Sequence, residues 1–337
     1  MEYFNAVKIN SFGTSEVLEQ TTLKLNEPNS DEVIIKISHC GIAFLDILMR
    51  KGSYPNLPSL PFILGKDVVG HIHKVGKDVK DLKVGQRVLS HLNLGGYAQF
   101  AITDAKNIIK VSENLDANKL VALPLNYVTA YQLLHRIAKV KKGSTILVHG
   151  GAGGVGTALL ELARLSDIKA YATVSSKEKI ESVKKRGAIP INYKSTDFVS
   201  FLKEEAPKGI DAVFDPIAEE YWKKSSKVLK KGGILVAYGF SSLVSNDNVI
   251  SPEELSNVIG KLVELEKSEI KPTWYSITKL KMEEPEIYFE DLLKVVKLFE
   301  EGIIDPEVDS IFSLKDVKKA HDLIEKGSVI GKVVLKI

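Results

Sequence analysis

The segment "ILVHGGAGGVGTALLELARL", residues 146–165, decides how the rest of the chain is read. Its start belongs to the apolar run "GSTILVHGG", which reads as a buried strand. Its end, "GTALLELARL", places apolar residues at helical spacing. Between them, "HGGAGGVG" (149–156) contains Gly151-x-Gly153-x-x-Gly156. Such glycine patterns are often only turns. This one follows a strand and opens a helix inside a βαβ unit, the context in which it binds a dinucleotide. Without Cβ atoms the backbone can approach a pyrophosphate, and the helix N-terminus supplies unsatisfied N–H groups and partial positive charge.

Outward from this unit, strand and helix keep alternating. "KAYATV" (169–174) is a strand, "SKEKIESVKKRGA" a helix with Ile180 and Val183 inward, and "IDAVFD" (210–215) and "GGILVAYG" (232–239) are strands again. That order predicts a parallel, doubly wound sheet. Ser251, Pro252 and Glu254 form a capping box at the start of a further helix. Residues 1 to about 120 have a different texture: short apolar or alternating runs such as "DEVIIKISHCGI" and "VVGHIHKVG" broken by recurrent glycines, an all-β pattern. Beyond 271 come helices at "FEDLLKVVKLFEEG" and "LKDVKKAHDLIEKG". The closing strand "GKVVLKI" has no place among the parallel strands and is expected to return to the N-terminal domain.

A chain of 337 residues is expected to form two domains. Hydrophobic residues make up 44% and charged residues 26%, as in globular proteins, and no segment approaches the roughly 18 apolar residues of a membrane span. The opening "MEYFNAVKINSFG" reads as a strand rather than a signal peptide. Net charge is only +3, and basic clusters such as "KVKKG" (139–143) alternate with apolar positions, so they read as solvated faces and not as a nucleic-acid site. The lone cysteine, Cys40, excludes an intrachain disulfide framework and fits a reducing cytoplasm.

An NAD site usually places Asp or Glu at the end of the second strand, about 20 residues past the glycines. Here that strand ends "ATVSSKEK", with Ser175, Ser176, Lys177 and Lys179 and no acid at the tip. Two hydroxyls and an ammonium suit a 2′-phosphate, which favours NADPH. Glu178 lies one turn into the helix and is expected to point away. A second constellation, in "PFILGKDVVGHIHKVG" (61–76), suggests a metal: on a strand, Asp67, His71 and His73 would share one face.

Taken together, "GIAFLDILMRKGSYP" (41–55), "LPFILGKDVVGHIHKVGKDVKDLKVGQRV" (60–88), "GGYAQFAI" (95–102), "ALPLNYVTAYQLL" (122–134), "ILVHGGAGGVG" (146–156), "INYKSTDF" (191–198), "GGILVAYG" (232–239) and "GKVVL" (331–335) resemble the medium-chain dehydrogenase/reductase superfamily, in its zinc-independent quinone oxidoreductase branch. The resemblance spans nearly the whole chain. It implies an α/β protein with a GroES-like β domain (1–123 and 271–337) and a Rossmann NADP(H)-binding domain (124–270), with substrate and nicotinamide meeting between them, and it suggests a homodimer. The cofactor-binding set it implies is Thr129, Gly151, Ala152, Gly153, Gly154, Val155, Gly156, Ser175, Ser176, Lys179, Tyr193 and Gly239. Zinc-dependent members carry cysteine where this chain has Ala43, a His-Glu pair where it has Lys66-Asp67, and a second cysteine near Leu125. No metal is therefore expected, and His71 and His73 are read as running on from the active-site region.

Without a Lewis acid, hydride addition to a quinone or an α,β-unsaturated carbonyl is the expected chemistry, since these acceptors are already electrophilic. The protein must donate to the developing enolate oxygen and deliver a proton. Tyr54, in a "YxxLPxLP" setting similar to that of the enoyl-thioester reductases, is the first candidate; the alternative is a turn tyrosine packing on Pro55. Lys66 is a second candidate donor, or a partner of Asp67. Thr129 matches a position beside the nicotinamide. Quinone reductases commonly have Asn at Ala43 and Tyr at Leu48, so this chain is expected to prefer a small hydrophobic electrophile, an enal or enone, with Trp274 and Tyr275 as candidate lining residues. Two rival readings remain open: an enoyl-thioester reductase, and a non-catalytic NADPH-binding sensor or lipid-binding protein related to the vesicle-amine-transport-like branch.

Overall fold

Eight short strands occupy the first third of the chain in this computed structural model, which describes residues 1–55, 57–244 and 250–337. They are β1 (Tyr3–Ile9), β2 (Leu18–Lys24), β3 (Glu32–Ile42), β4 (Phe62–Ile63), β5 (Asp67–Val75), β6 (Arg87–His91), β7 (Phe100–Asp104) and β8 (Ile108–Lys110). Six more follow: β9 (Thr145–Val148), β10 (Lys169–Val174), β11 (Ile189–Asn192), β12 (Ile210–Asp215), β13 (Leu229–Ala237) and β14 (Lys271–Trp274). The chain closes with β15 (Val308–Ser313) and β16 (Lys332–Lys336). The folded chain divides into one unit of Met1–Leu125 with Phe299–Ile337 and a second of Asn126–Leu298.

The first unit is organised by β3, whose eleven residues are long enough to serve several partners. Along one edge it pairs antiparallel with β5; along the other, β7 takes its first half and β16 its second. The sheet runs β15-β16-β3-β5-β6-β8, and a smaller sheet runs β2-β1-β4. Alternation along the strands puts Val7, Ile9, Ile35, Val68, Ile72, Val88 and Leu335 into one apolar core. Gly70 is required at the β3–β5 crossing, where a Cβ would lie 2.2 Å from the Lys36 carbonyl oxygen.

In the second unit, six parallel strands run β11-β10-β9-β12-β13-β14, which counted from β9 is the order 3-2-1-4-5-6 of a dinucleotide-binding sheet. Ile146, Leu147 and Val148 are wholly buried, as a strand covered on both faces demands. The helix Gly154–Leu165 buries Ala158, Leu159, Leu162 and Ala163. In the helix Lys177–Lys185, Val183 is buried while Ile180 is only half-buried. The expected division of the chain needs one correction. Residues 271–298 do not belong with the β domain: Lys271–Trp274 pairs parallel with β13 as the sixth strand, and Asp291 bonds Gln132 and Arg136 of the same unit.

Candidate active site

Strand order reverses between β9 and β12, and the glycine turn leaves β9 at that point. The carboxyl ends of strands flanking such a reversal form the ligand crevice of doubly wound sheets. The turn is tied to its neighbours through the backbone: His149 N–H donates to Phe214 O at 3.0 Å and Gly151 N–H to Thr173 O at 3.1 Å. Two glycines are needed for packing alone. A Cβ on Gly151 would lie 2.5 Å from the Ala172 Cβ, and one on Gly156 would lie 2.3 Å from Gly150 O. Gly153 is different, because its Cβ would meet only Gly150 O, at 3.4 Å. Its bare Cα serves whatever approaches from outside. Gly153 caps the twelve-residue helix Gly154–Leu165, whose first-turn N–H groups have no intrahelical acceptor. With Ala152, Gly154 and Val155 completing the loop, the turn fits a pyrophosphate. Gly239, beyond the end of β13, packs so closely that its Cβ would lie 2.8 Å from Pro216 O.

The tip of β10 gathers the residues expected there. Ser175 and Lys179 are half-buried, and Ser176 caps the helix by accepting the Lys179 N–H at 3.4 Å. Tyr193 N–H donates to Val174 O at 3.1 Å, which brings its ring, 43% exposed, to the same tip. Glu178 departs from expectation. Its carboxylate accepts from the Ser176 hydroxyl and from its own N–H, contacts that hold it below the usual carboxylate range, so it turns back to the tip.

Thr129 sits in the single α turn Val128–Tyr131, which runs into a π-helical stretch, Gln132–Ile137, a geometry common at functional sites. Its Oγ1 is buried with no hydrogen-bond partner among the described residues. Tyr275, a candidate lining residue, is 5% exposed and donates to Gln132 Oε1 at 2.6 Å, so it is part of the core. Trp274 stacks on Phe240, with ring centroids 6.3 Å apart.

His149 is buried between Thr173 Oγ1 (3.0 Å) and Ser225 Oγ (2.9 Å), against the rings of Phe198 and Tyr221. Burial lowers its pKa to about 3, so it is neutral. Asp215, at the end of β12, was not anticipated. Its Oδ1 accepts from Ile217 N–H (2.6 Å) and Ala218 N–H (3.1 Å), while Oδ2 is buried without a partner among the described residues. Burial, partly opposed by those two N–H groups, raises its pKa to about 6. The folded state therefore binds this proton more tightly than the unfolded one, and stability falls as pH rises from about 4 to about 6. Asp215→Asn is expected to stabilise the protein by about 2 kcal/mol at pH 7, with the gain vanishing near pH 4. Urea midpoints across that range test this; a gain independent of pH would contradict it.

In the first unit, Asp67, His71 and His73 do not converge. His71 Nε2 lies 3.2 Å from Glu113, and His73 Nε2 lies 3.1 Å from Glu2 with its ring over Phe100. Asp67 faces inward, to Lys332 Nζ and His91 Nδ1, each at 2.7 Å. The alternative pairing of Lys66 with Asp67 is thus replaced by two partners the sequence did not suggest. Lys66, 7% exposed, donates to Asn93 O at 2.5 Å, and burial lowers its pKa. Ala43 caps the helix Phe44–Arg50 by donating its N–H to Asp46 Oδ2 (2.8 Å), and Asp46 Oδ1 takes the Gly65 N–H (3.2 Å). Asp46 therefore ties the Ala43 loop to the segment that carries Lys66. An acid three residues after a helix start was the available signal. Leu48 is buried, and Tyr54 is half-buried against the apolar core of this unit.

Comparison with known proteins agrees with these two units. An alcohol dehydrogenase GroES-like domain profile matches residues 29–113, and a zinc-binding dehydrogenase profile matches residues 187–335. The quinone oxidoreductase of Rattus norvegicus is 31% identical over 335 residues, covering 98% of this chain and 97% of its own. The synaptic vesicle membrane protein VAT-1 homolog of Danio rerio is 28% identical over 91% of this chain, which spans 64% of that relative's length. Escherichia coli quinone oxidoreductase, solved in complex with NADPH, matches with a TM-score of 0.88 at 28% identity over 99% of this chain and all of its own. The chain belongs to the medium-chain dehydrogenase/reductase superfamily of oxidoreductases, in its quinone oxidoreductase-like branch. Among the described residues, no helix is long and apolar enough to cross a membrane.

Proposed function

We propose that this protein is an NADPH-dependent, zinc-independent reductase that transfers hydride to a quinone or an α,β-unsaturated carbonyl. The observation that carries this reading is the side-chain set at the positions of the family's zinc ligands. Ala43 offers a methyl group, Leu125 an isobutyl group, and Lys66 an ammonium that donates to Asn93 O. None presents a lone pair to a metal. The substrate must then be electrophilic before it binds. NADPH, when bound, supplies the hydride and an anionic 2′-phosphate for recognition. Ser175, Ser176, Lys179 and Tyr193 hold that phosphate, the turn from Gly151 to Gly156 holds the pyrophosphate, and the buried Thr129 Oγ1 bonds the carboxamide. As hydride reaches the β-carbon of an enone, charge develops on the carbonyl oxygen; the Lys66 ammonium or the Tyr54 hydroxyl donates to it, and Tyr54 returns the proton. The buried Leu48, where a polar ring is common in quinone reductases, favours a small hydrophobic electrophile. The protein is read as a homodimer of the reducing cytoplasm, which light scattering tests as twice the chain mass.

NADPH consumption with 1,4-naphthoquinone, 2-alkenals and crotonyl-CoA tests the reading. Turnover of the quinone or the alkenals is expected and should survive dialysis against EDTA. Tyr54→Phe should lower kcat by about 10²-fold or more if it is the proton donor. Turnover of crotonyl-CoA alone would point to an enoyl-thioester reductase. Tight NADPH binding with no turnover on any substrate would point to a binding protein instead.

A further inference from the structure

The loop from β10 into the helix Lys177–Lys185 carries a carboxylate where a 2′-phosphate site would be expected to have none. Ser176 has the extended backbone of a helix cap (φ −143°, ψ 165°), and its Oγ accepts the Lys179 N–H. A hydroxyl that accepts there has its own proton to give, and Glu178 takes it while also accepting its own backbone N–H. Glu178 is thereby folded over the first turn onto the strand tip. The position is meaningful because β10 lies next to β9, and the glycine turn is bound to it through Gly151 N–H and Thr173 O. Glu178 stands roughly twenty residues beyond Gly156, at the end of the second strand, where a carboxylate accepts hydrogen bonds from an unmodified ribose. The same tip carries the opposite chemistry in Lys179 and Tyr193.

We propose that Glu178 is the residue that sets nucleotide preference: it accepts from the ribose 2′-hydroxyl of NADH and opposes a 2′-phosphate, so the protein uses both NADH and NADPH. This rests on the reading that the glycine turn holds a nicotinamide dinucleotide. Lys179 and the two serine hydroxyls attract the 2′-phosphate, and the neighbouring carboxylate cancels part of that attraction. Two unit charges at a partly exposed site change binding by roughly tenfold. The preference of the wild-type protein for NADPH is therefore held to about tenfold or less.

The test measures Kd for NADPH and NADH by calorimetry on the full chain, as wild type, Glu178→Gln and Lys179→Met. Glutamine keeps a carbonyl acceptor for the Ser176 hydroxyl, so the helix cap survives. Glu178→Gln is expected to tighten NADPH about tenfold and weaken NADH severalfold, and Lys179→Met to weaken NADPH alone. A purely structural role for Glu178 would move both affinities together. An NADPH-to-NADH ratio unchanged within twofold in Glu178→Gln, with both nucleotides bound by the wild type, overturns the proposal and leaves the dinucleotide reading intact. Failure of the wild type to bind either nucleotide overturns both.

Discussion

Asp67→Ala is expected to cost the protein about 3–5 kcal/mol, the largest loss from any single side chain considered. Asp67 and Lys332 are each 1% exposed and their charged atoms lie 2.7 Å apart, with His91 on the second carboxylate oxygen at 2.7 Å. Removing the carboxylate leaves the Lys332 ammonium in the core between β5 and β16 with no counter-ion, and it also strips His91 Nδ1 of its acceptor. A buried charge without its partner is far more costly than a pair that was never built. The double replacement Asp67→Leu with Lys332→Met is accordingly expected to recover more than half of the loss. Burial by itself would raise the Asp67 pKa, but Lys332 and His91 outweigh it and the net shift is downward. A carboxyl whose folded pKa is depressed contributes stability above its unfolded value, about 4, and loses it as pH falls through the folded value. The single mutant should therefore lack the wild type's loss of stability below pH 4. Urea unfolding at pH 7 and through that acid range reads both effects, and a cost below 1 kcal/mol at pH 7 would refute the assignment.

Two alanine substitutions in the glycine turn should separate packing from ligand approach. In Gly156→Ala the new Cβ lies 2.3 Å from Gly150 O and 2.8 Å from Gly151 Cα, all backbone atoms of the same turn. The turn must open, so both thermal stability and NADPH affinity should fall, the latter by about 10²-fold or more, as expected when positioning groups shift by an ångström. Gly153→Ala meets only Gly150 O, at van der Waals distance, from a φ of −73° that alanine accepts. Its melting temperature should stay close to that of the wild type while NADPH binding weakens at least tenfold, because the methyl group stands where the pyrophosphate approaches. Calorimetric melting with nucleotide titration distinguishes the two, and unchanged affinity in Gly153→Ala would remove the turn from the site.

The glycine turn was legible because everything that defines it lies within twenty consecutive residues: an apolar run, a spaced set of glycines and a helical period. The β domain was legible as a texture of short strands, although its pairing was not. The membership of 271–298 was misjudged because "KPTW" has no strand periodicity of its own and is recruited by β13. Glu178 was misjudged for a smaller reason: the rotamer of one exposed side chain depends on the hydroxyl that caps its helix.

Local order along the chain therefore determined the class of protein, the nucleotide-binding turn and the absence of ligand-type side chains at Ala43, Lys66 and Leu125. Each follows from residue type and near-neighbour spacing. Only the tertiary structure decided who partners whom. Asp67 and Lys332 are separated by 265 positions and meet because β16 and β5 both pair with β3. The carboxylate first met beside two histidines on one strand face belongs to that pair. In a buried site the nearest opposite charge in space, not in sequence, determines what a charged group does.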